Sequence, residues 1–178
     1  MAGHAYSITQ RIFHWGMFLL FAVQFGVVWS IPDGGGDAYA SYWQLHYSLG
    51  VVILIAGVAR LIIRVAKGVP ALPADMPRWQ VAAARLNEAA LYVIMIGMPI
   101  LGWIAADTRG RSVTLFGLPL PAFVGPQERG TFLRSITGDA HELLGTVLLI
   151  LVGLHVLGAL YHGFIRRDGV LQSMTSGR

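Results

Sequence analysis

The chain has 178 residues, of which 55% are hydrophobic and 12% charged, with a formal net charge of +4 and no cysteine. That charged share is about half the roughly 25% usual in soluble domains, so the composition points to a membrane protein, and the length suits one domain over 1–178. The lack of cysteine excludes disulfides, iron–sulfur clusters, thiolate-bound or thioether-linked haem and cysteine zinc sites; the basic residues flank apolar runs, which speaks for membrane topology and against a nucleic-acid surface.

A spanning helix needs about 20 mostly apolar residues. Four segments qualify, Ile12–Ile31, Leu45–Val65, Glu88–Ala106 and His141–Ile165, which predicts an all-α integral membrane fold, a four-helix bundle. The first run is too long for the apolar core of a signal peptide and no A-x-A-like site follows it, so it is expected to remain as a span. "PDGGGDAYASYWQ" then reads as a short turn, and "KGVPALPADMPRWQ" as a basic connection punctuated by proline. The third connection, from Asp107 to Ala140, is the longest; its "FGLPLPAFVGP" is too broken by proline to span and is expected on the surface.

The lysines and arginines orient the bundle. The N-terminus, the second connection and the C-terminus hold nine (Arg11, Arg60, Arg64, Lys67, Arg78, Arg85, Arg166, Arg167, Arg178), against four (Arg109, Arg111, Arg129, Arg134) in the other two connections. Both termini are therefore expected in the cytoplasm.

Five of the six histidines lie in or at the ends of these spans, and intramembrane histidine is rare and usually functional. His155 follows His141 by fourteen residues, about 21 Å deeper and within about 40° of the same helix face. His46 opens the second span at the level of His141, and His14 lies near the start of the first at the level of His155. Two histidine pairs stacked along the membrane normal are what two bis-imidazole b-type haems require, a ladder for electrons across the bilayer. A transition-metal transporter is the rival for such histidines; it would want carboxylates beside them, and the span interiors have no Asp or Glu. His4, in the short polar tail, reads as solvated, and "PDGGGD" lacks the context of a phosphate loop.

At "RIFHW", "QLHYSLGV", "ARLIIR", "ALYVIMIGMPILGW", "FGLPLP" and "HELLGTVLLILVGLHVLGALYH" the chain resembles the bacterial cytochrome b561 family over nearly its whole length. The resemblance implies a four-helix dihaem cytochrome of the bacterial inner membrane. It carries axial ligation to His14 and His155 for the inner haem, and to His46 and His141 for the outer one. It implies either a superoxide oxidase, which passes electrons from superoxide outside to ubiquinone near the inner face, or an anchor and relay subunit between a partner dehydrogenase and quinone.

Two further residues lie near the inner level. His162, two turns past His155, reads equally as a quinone hydrogen-bonding and proton-donating group or as an interfacial anchor beside Tyr161. Arg60, fourteen residues past His46, falls level with the inner haem, suited to a propionate or a quinone oxygen, and Arg11 invites the same reading less strongly. Arg64 reads as snorkelling to headgroups. Outside, the four arginines face six acids (Asp33, Asp37, Asp107, Glu128, Asp139, Glu142), so only a local cluster there would draw in an anion.

Overall fold

The computed structural model describes residues 5–177, which leaves His4 and Arg178 outside the described residues. Four helices are long and apolar enough to cross a membrane: α1 (Ile8–Trp29), α2 (Gly36–Lys67), α3 (Arg78–Thr108) and α4 (Phe132–Leu160), the last continued by a π-helical turn over Tyr161–Arg166. A short α5 (Val170–Thr175) follows. Each apolar run of the sequence falls on its own helix, the first running two residues past the end of α1 and the fourth continuing through the π turn.

The helices outrun those apolar runs because their ends are set in water by capping rather than by the bilayer. Ser7 opens α1 with a capping box: its hydroxyl accepts from the Gln10 backbone while Gln10 Oε1 accepts from the Ser7 N–H at 3.0 Å. Gly34, Gly35 and Gly36 all have positive φ (91°, 82° and 87°), a run that only glycine makes without strain. The first connection is therefore shorter than expected, and "DAYASYWQ" is already helical. Gly68 ends α2 with φ 70°, and Pro77 starts α3.

The long connection is also more ordered than a proline-broken surface loop. Its non-helical part is confined to 109–131 and contains an antiparallel pair, β1 (Thr114–Leu115) and β2 (Leu118–Pro119). Phe116 and Gly117 form its tip, both with positive φ, as tight hairpins require. Buried Ser48 of α2 anchors the pair: its Oγ lies 2.9 Å from Thr114 O and accepts the Phe116 N–H. Buried Asp107 accepts the Phe123 N–H at 2.7 Å.

α1 packs on α2, α2 on α3 and α3 on α4. Met17, Ile53 and Met95 form one small core cluster, and Val51, Ala106 and Val113 another toward the β pair. Large apolar side chains such as Phe18, Ile55, Ile62 and Leu157 stay exposed, as expected where the surroundings are hydrocarbon. The N-terminus, the α2–α3 connection and the C-terminal segment meet at one end: Tyr6 N donates to Ser173 O, and Gln10 Nε2 donates to Gly68 O. This is the terminal end; the β pair marks the hairpin end.

Candidate functional site

The four histidines come together in the two pairs expected from their depths. Near the hairpin end, His46 of α2 faces His141 of α4 with ring centroids 6.0 Å apart. Toward the terminal end, His14 of α1 faces His155 of α4 at 5.8 Å. Among the described residues, neither α1 nor α2 packs along α4 as α3 does, so each pair bridges two helices that stand apart. No three His, Asp or Glu side chains among the described residues converge as an ion site.

Around the first pair lies a cavity of about 520 Å³, within the roughly 300–1,000 Å³ range of small-molecule and cofactor sites. His141 Nδ1 lies 3.0 Å from Met98 O; a carbonyl only accepts, so Nδ1 carries the proton and Nε2 is the nitrogen left to ligate. The Gln24 carboxamide sits 2.9 Å from His46 Nδ1, and Trp43 packs edge-on to the His46 ring. Arg109, Arg111 and Glu142 also line the cavity. The outer end as a whole has more acids than arginines, yet these walls carry two arginines to one acid. Arg111 lies over the Trp43 ring at 5.3 Å, with Nη1 3.5 Å from the Tyr47 hydroxyl.

At the second pair, Arg60 Nη2 lies 3.0 Å from His14 Nδ1. Arg60 Nη1 is buried with no partner, so the guanidinium keeps donors to spare beside the pair. Arg64 does not snorkel. It is paired with Glu88 of α3 (Nη2 to Oε2, 2.7 Å) and lies over the Tyr92 ring, because the end of α2 crosses the start of α3 there. Arg11 donates to Thr175 O at 3.1 Å, a tie to the C-terminal segment.

His162 sits in the π turn, and its side chain is 13% exposed, more enclosed than an interfacial anchor. Its Nδ1 lies 2.6 Å from Asp168 Oδ2. Asp168 has no place in the sequence reading: the residue lies beyond the last span, and helix periodicity gives no sign of the contact. Gln24 and the Met98 carbonyl went unseen for a similar reason, since their roles depend on how two helices are rotated against each other.

Residues 5–177 match the model of prokaryotic cytochrome b561. The chain belongs to that family. It is 27% identical over 177 residues to cytochrome b561 homolog 1 of Escherichia coli (strain K12), covering 97% of this chain and 98% of the relative. It is 30% identical over 174 residues to a probable superoxide oxidase, CybB, of Yersinia pestis, covering 95% and 94%. A cytochrome b561 of this kind is a multi-pass membrane electron-transfer protein, and the family implies b-type haem.

The site's own geometry fits that group. Metal–imidazole bonds of about 2 Å on each side, with each ring centroid roughly 1 Å behind its nitrogen, place two centroids on the order of 6 Å apart. Both pairs meet that spacing. The cavity at His46 and His141 is also lined by Trp43 and Trp103, whose buried indole N–H groups have no partner, and such orphaned donors call for acceptors that arrive with a ligand.

Proposed function

We propose that this cytochrome b561 holds two b haems and carries single electrons across the bacterial inner membrane, from superoxide at the hairpin end to ubiquinone at the terminal end. The observation that carries the reading is the pair of histidine couples, 6.0 Å and 5.8 Å between centroids, at two levels of the bundle. His46 and His141 hold the outer haem, and His14 and His155 the inner one. When bound, the haems supply one-electron redox chemistry that no side chain here offers. Two superoxide anions, one ubiquinone and two protons become two dioxygen molecules and one ubiquinol, which balances electrons and charge.

The remaining residues take supporting roles. Arg109 and Arg111 make the cavity mouth locally cationic, which raises the encounter rate of a small anion. Arg60, with Nη1 buried and unpartnered, suits an inner-haem propionate or a quinone oxygen. His162 meets a quinone carbonyl and gives it a proton as the ring is reduced. The excess of Lys and Arg at the terminal end supports a cytoplasmic orientation of that end, the side from which protons are drawn. The relative named as a probable superoxide oxidase supports the choice of donor.

Rapid mixing of purified, oxidised protein with superoxide, followed at the b-haem absorption bands, tests this reading. Fast haem reduction, with re-oxidation accelerated by added ubiquinone, is the expected result. A second reading, a relay subunit that docks a partner dehydrogenase, is favoured by the exposed apolar tip at Phe116, Leu118 and Phe123. Haem bands that barely respond to superoxide, in protein that copurifies with a larger redox partner, select it. Protein without haem bands overturns the ligand assignment.

A further inference from the structure

The terminal end holds a polar network that electron transfer between haems does not use. After the π turn the backbone reverses at Arg167, a non-glycine residue in the left-handed region (φ 52°, ψ 41°), and Gly169 continues the reversal at φ 86°. This hook returns Asp168 onto His162, six residues earlier in the chain. Asp168 Oδ2 lies 2.6 Å from His162 Nδ1 and accepts from Arg166 Nε at 3.0 Å. Arg166 in turn reaches Asp75 Oδ2 at 2.8 Å and Gln80 Oε1 at 3.4 Å, which ties the hook to the α2–α3 connection and the start of α3. The Asp168 side chain is 9% exposed. Gly163 has no room for a methyl group, because a Cβ there would run into Leu171 of α5. Strained backbone held by a partly buried polar network is a pattern found at functional sites.

We propose that Asp168 is the positioning residue of the quinone site: it accepts the His162 Nδ1–H, fixes the imidazole's tautomer and plane, and leaves Nε2 to donate to the quinone oxygen. The inference rests on the role given to His162 above. A carboxylate on the far nitrogen of a working histidine sets which nitrogen carries the exchangeable proton and stabilises the cation formed as the ring is re-protonated. Burial pushes the Asp168 carboxyl up, but the His162 hydrogen bond, the Val170 N–H and the neighbouring positive charges outweigh it and hold the group below its ordinary value. Asp168 is therefore an anion at neutral pH. The two electrons needed come one at a time through the haem ladder. The two protons come from the cytoplasm, at least one of them by way of His162.

The test uses the haem-loaded protein, with the haem spectrum as a check of folding, and measures ubiquinone-dependent re-oxidation of the reduced haems. Asp168→Asn keeps an acceptor for the Val170 N–H, which Asp168 Oδ1 meets at 3.3 Å, and puts an NH2 donor where Oδ2 stood, so both the negative charge and the acceptor for His162 Nδ1–H are lost. The expected result is a maximal rate lowered at least about tenfold, the low end of what losing an orienting partner behind a histidine costs, with KM for ubiquinone changed less than twofold. Asp168→Glu recovers part of the rate. In a His162→Gln background, already slow, adding Asp168→Asn slows re-oxidation no further. A normal rate in Asp168→Asn beside a slow His162→Gln overturns this inference alone. So does an equal further loss in the His162→Gln background, which would make Asp168 merely a clamp on α5. A normal rate in His162→Gln overturns the quinone role of His162 and this inference with it.

Discussion

Substituting Gly102 by alanine isolates the outer histidine pair by a single methyl group. An added Cβ would stand 2.6 Å from His141 Cε1 and 2.8 Å from Nδ1, about 0.8 Å inside the 3.4 Å at which ordinary contact begins. The ring has little freedom to retreat, since its Nδ1 is tied to Met98 O at 3.0 Å, one turn earlier on the same helix α3. Relief requires a shift of α3 against α4, at an overpacking cost of about 1–3 kcal/mol, or loss of the Met98 hydrogen bond, about 1 kcal/mol. At roughly 1.4 kcal/mol per factor of ten, that predicts an outer-haem affinity lowered about ten- to a hundredfold. The inner pair lies a helical layer away and keeps its haem. Haem titration into the apoprotein, with haem counted per chain and the two absorption bands resolved at low temperature, measures the effect. Gly97→Ala is the control: a Cβ at that position meets nothing within 4 Å, and alanine is the better helix former by up to about 1 kcal/mol. Equal affinity for both haems in Gly102→Ala would refute the assignment of His141 as an outer ligand in this geometry.

His155→Ala removes one side of the inner couple and is expected to halve the haem content while the outer band persists; loss of the outer band instead would reverse the inner and outer assignment. Arg111→Ala is expected to slow haem reduction by superoxide several-fold at low ionic strength, with the difference fading as salt approaches about 1 M, where the Debye length is about 3 Å; a salt-independent loss would point to damage to the Trp43 and Tyr47 contacts. Asp168 makes stability depend on pH. Its folded-state carboxyl lies below the ordinary aspartate value of about 3.9, so its contribution is fully present above that value and is lost as pH falls through the depressed folded value. The difference in melting temperature between the wild type and Asp168→Asn should be constant from neutral pH to about 5 and shrink only in stronger acid; a difference that vanishes between pH 6 and 7 would show that another group is responsible.

The spans were legible because hydrocarbon imposes one requirement, length of apolar sequence, that each helix satisfies on its own. The depth of the histidines was legible for the same reason: rise and rotation per residue are properties of a single helix, and His141 and His155 needed nothing else to be placed on one stripe. The helix ends were not. They lie in water, where the Ser7 capping box and the glycines at 34–36 and 68 decide, and α2 and α3 consequently begin about ten residues before their apolar runs. Nor was the pairing of Arg64 with Glu88, since a cation at a span end reads the same whether it reaches headgroups or a neighbouring helix. Asp168 is the clearest case. Six residues past His162 on a regular helix would put it about 120° away around the axis. Only the π turn and the left-handed Arg167 bring it back, and neither leaves a periodic trace.

These contrasts explain why one greasy helix carries three histidines while its neighbour α3 carries none. Among the described residues, α4 is the only helix that reaches both pairs, so it supplies one member of each, His141 and His155, and runs on into the π turn that carries His162. α1 and α2 supply the other members from helices that stand off α4, and the gap between them is the room a flat cofactor needs. α3 packs directly along α4 and fills the opposite role: the missing side chain of Gly102 admits the His141 ring, and the Met98 carbonyl, one residue before Pro99, fixes its proton. A side chain in place of Gly102 would collide with the His141 ring. On this packing α3 serves the outer pair through a small residue and a backbone carbonyl rather than through a histidine of its own.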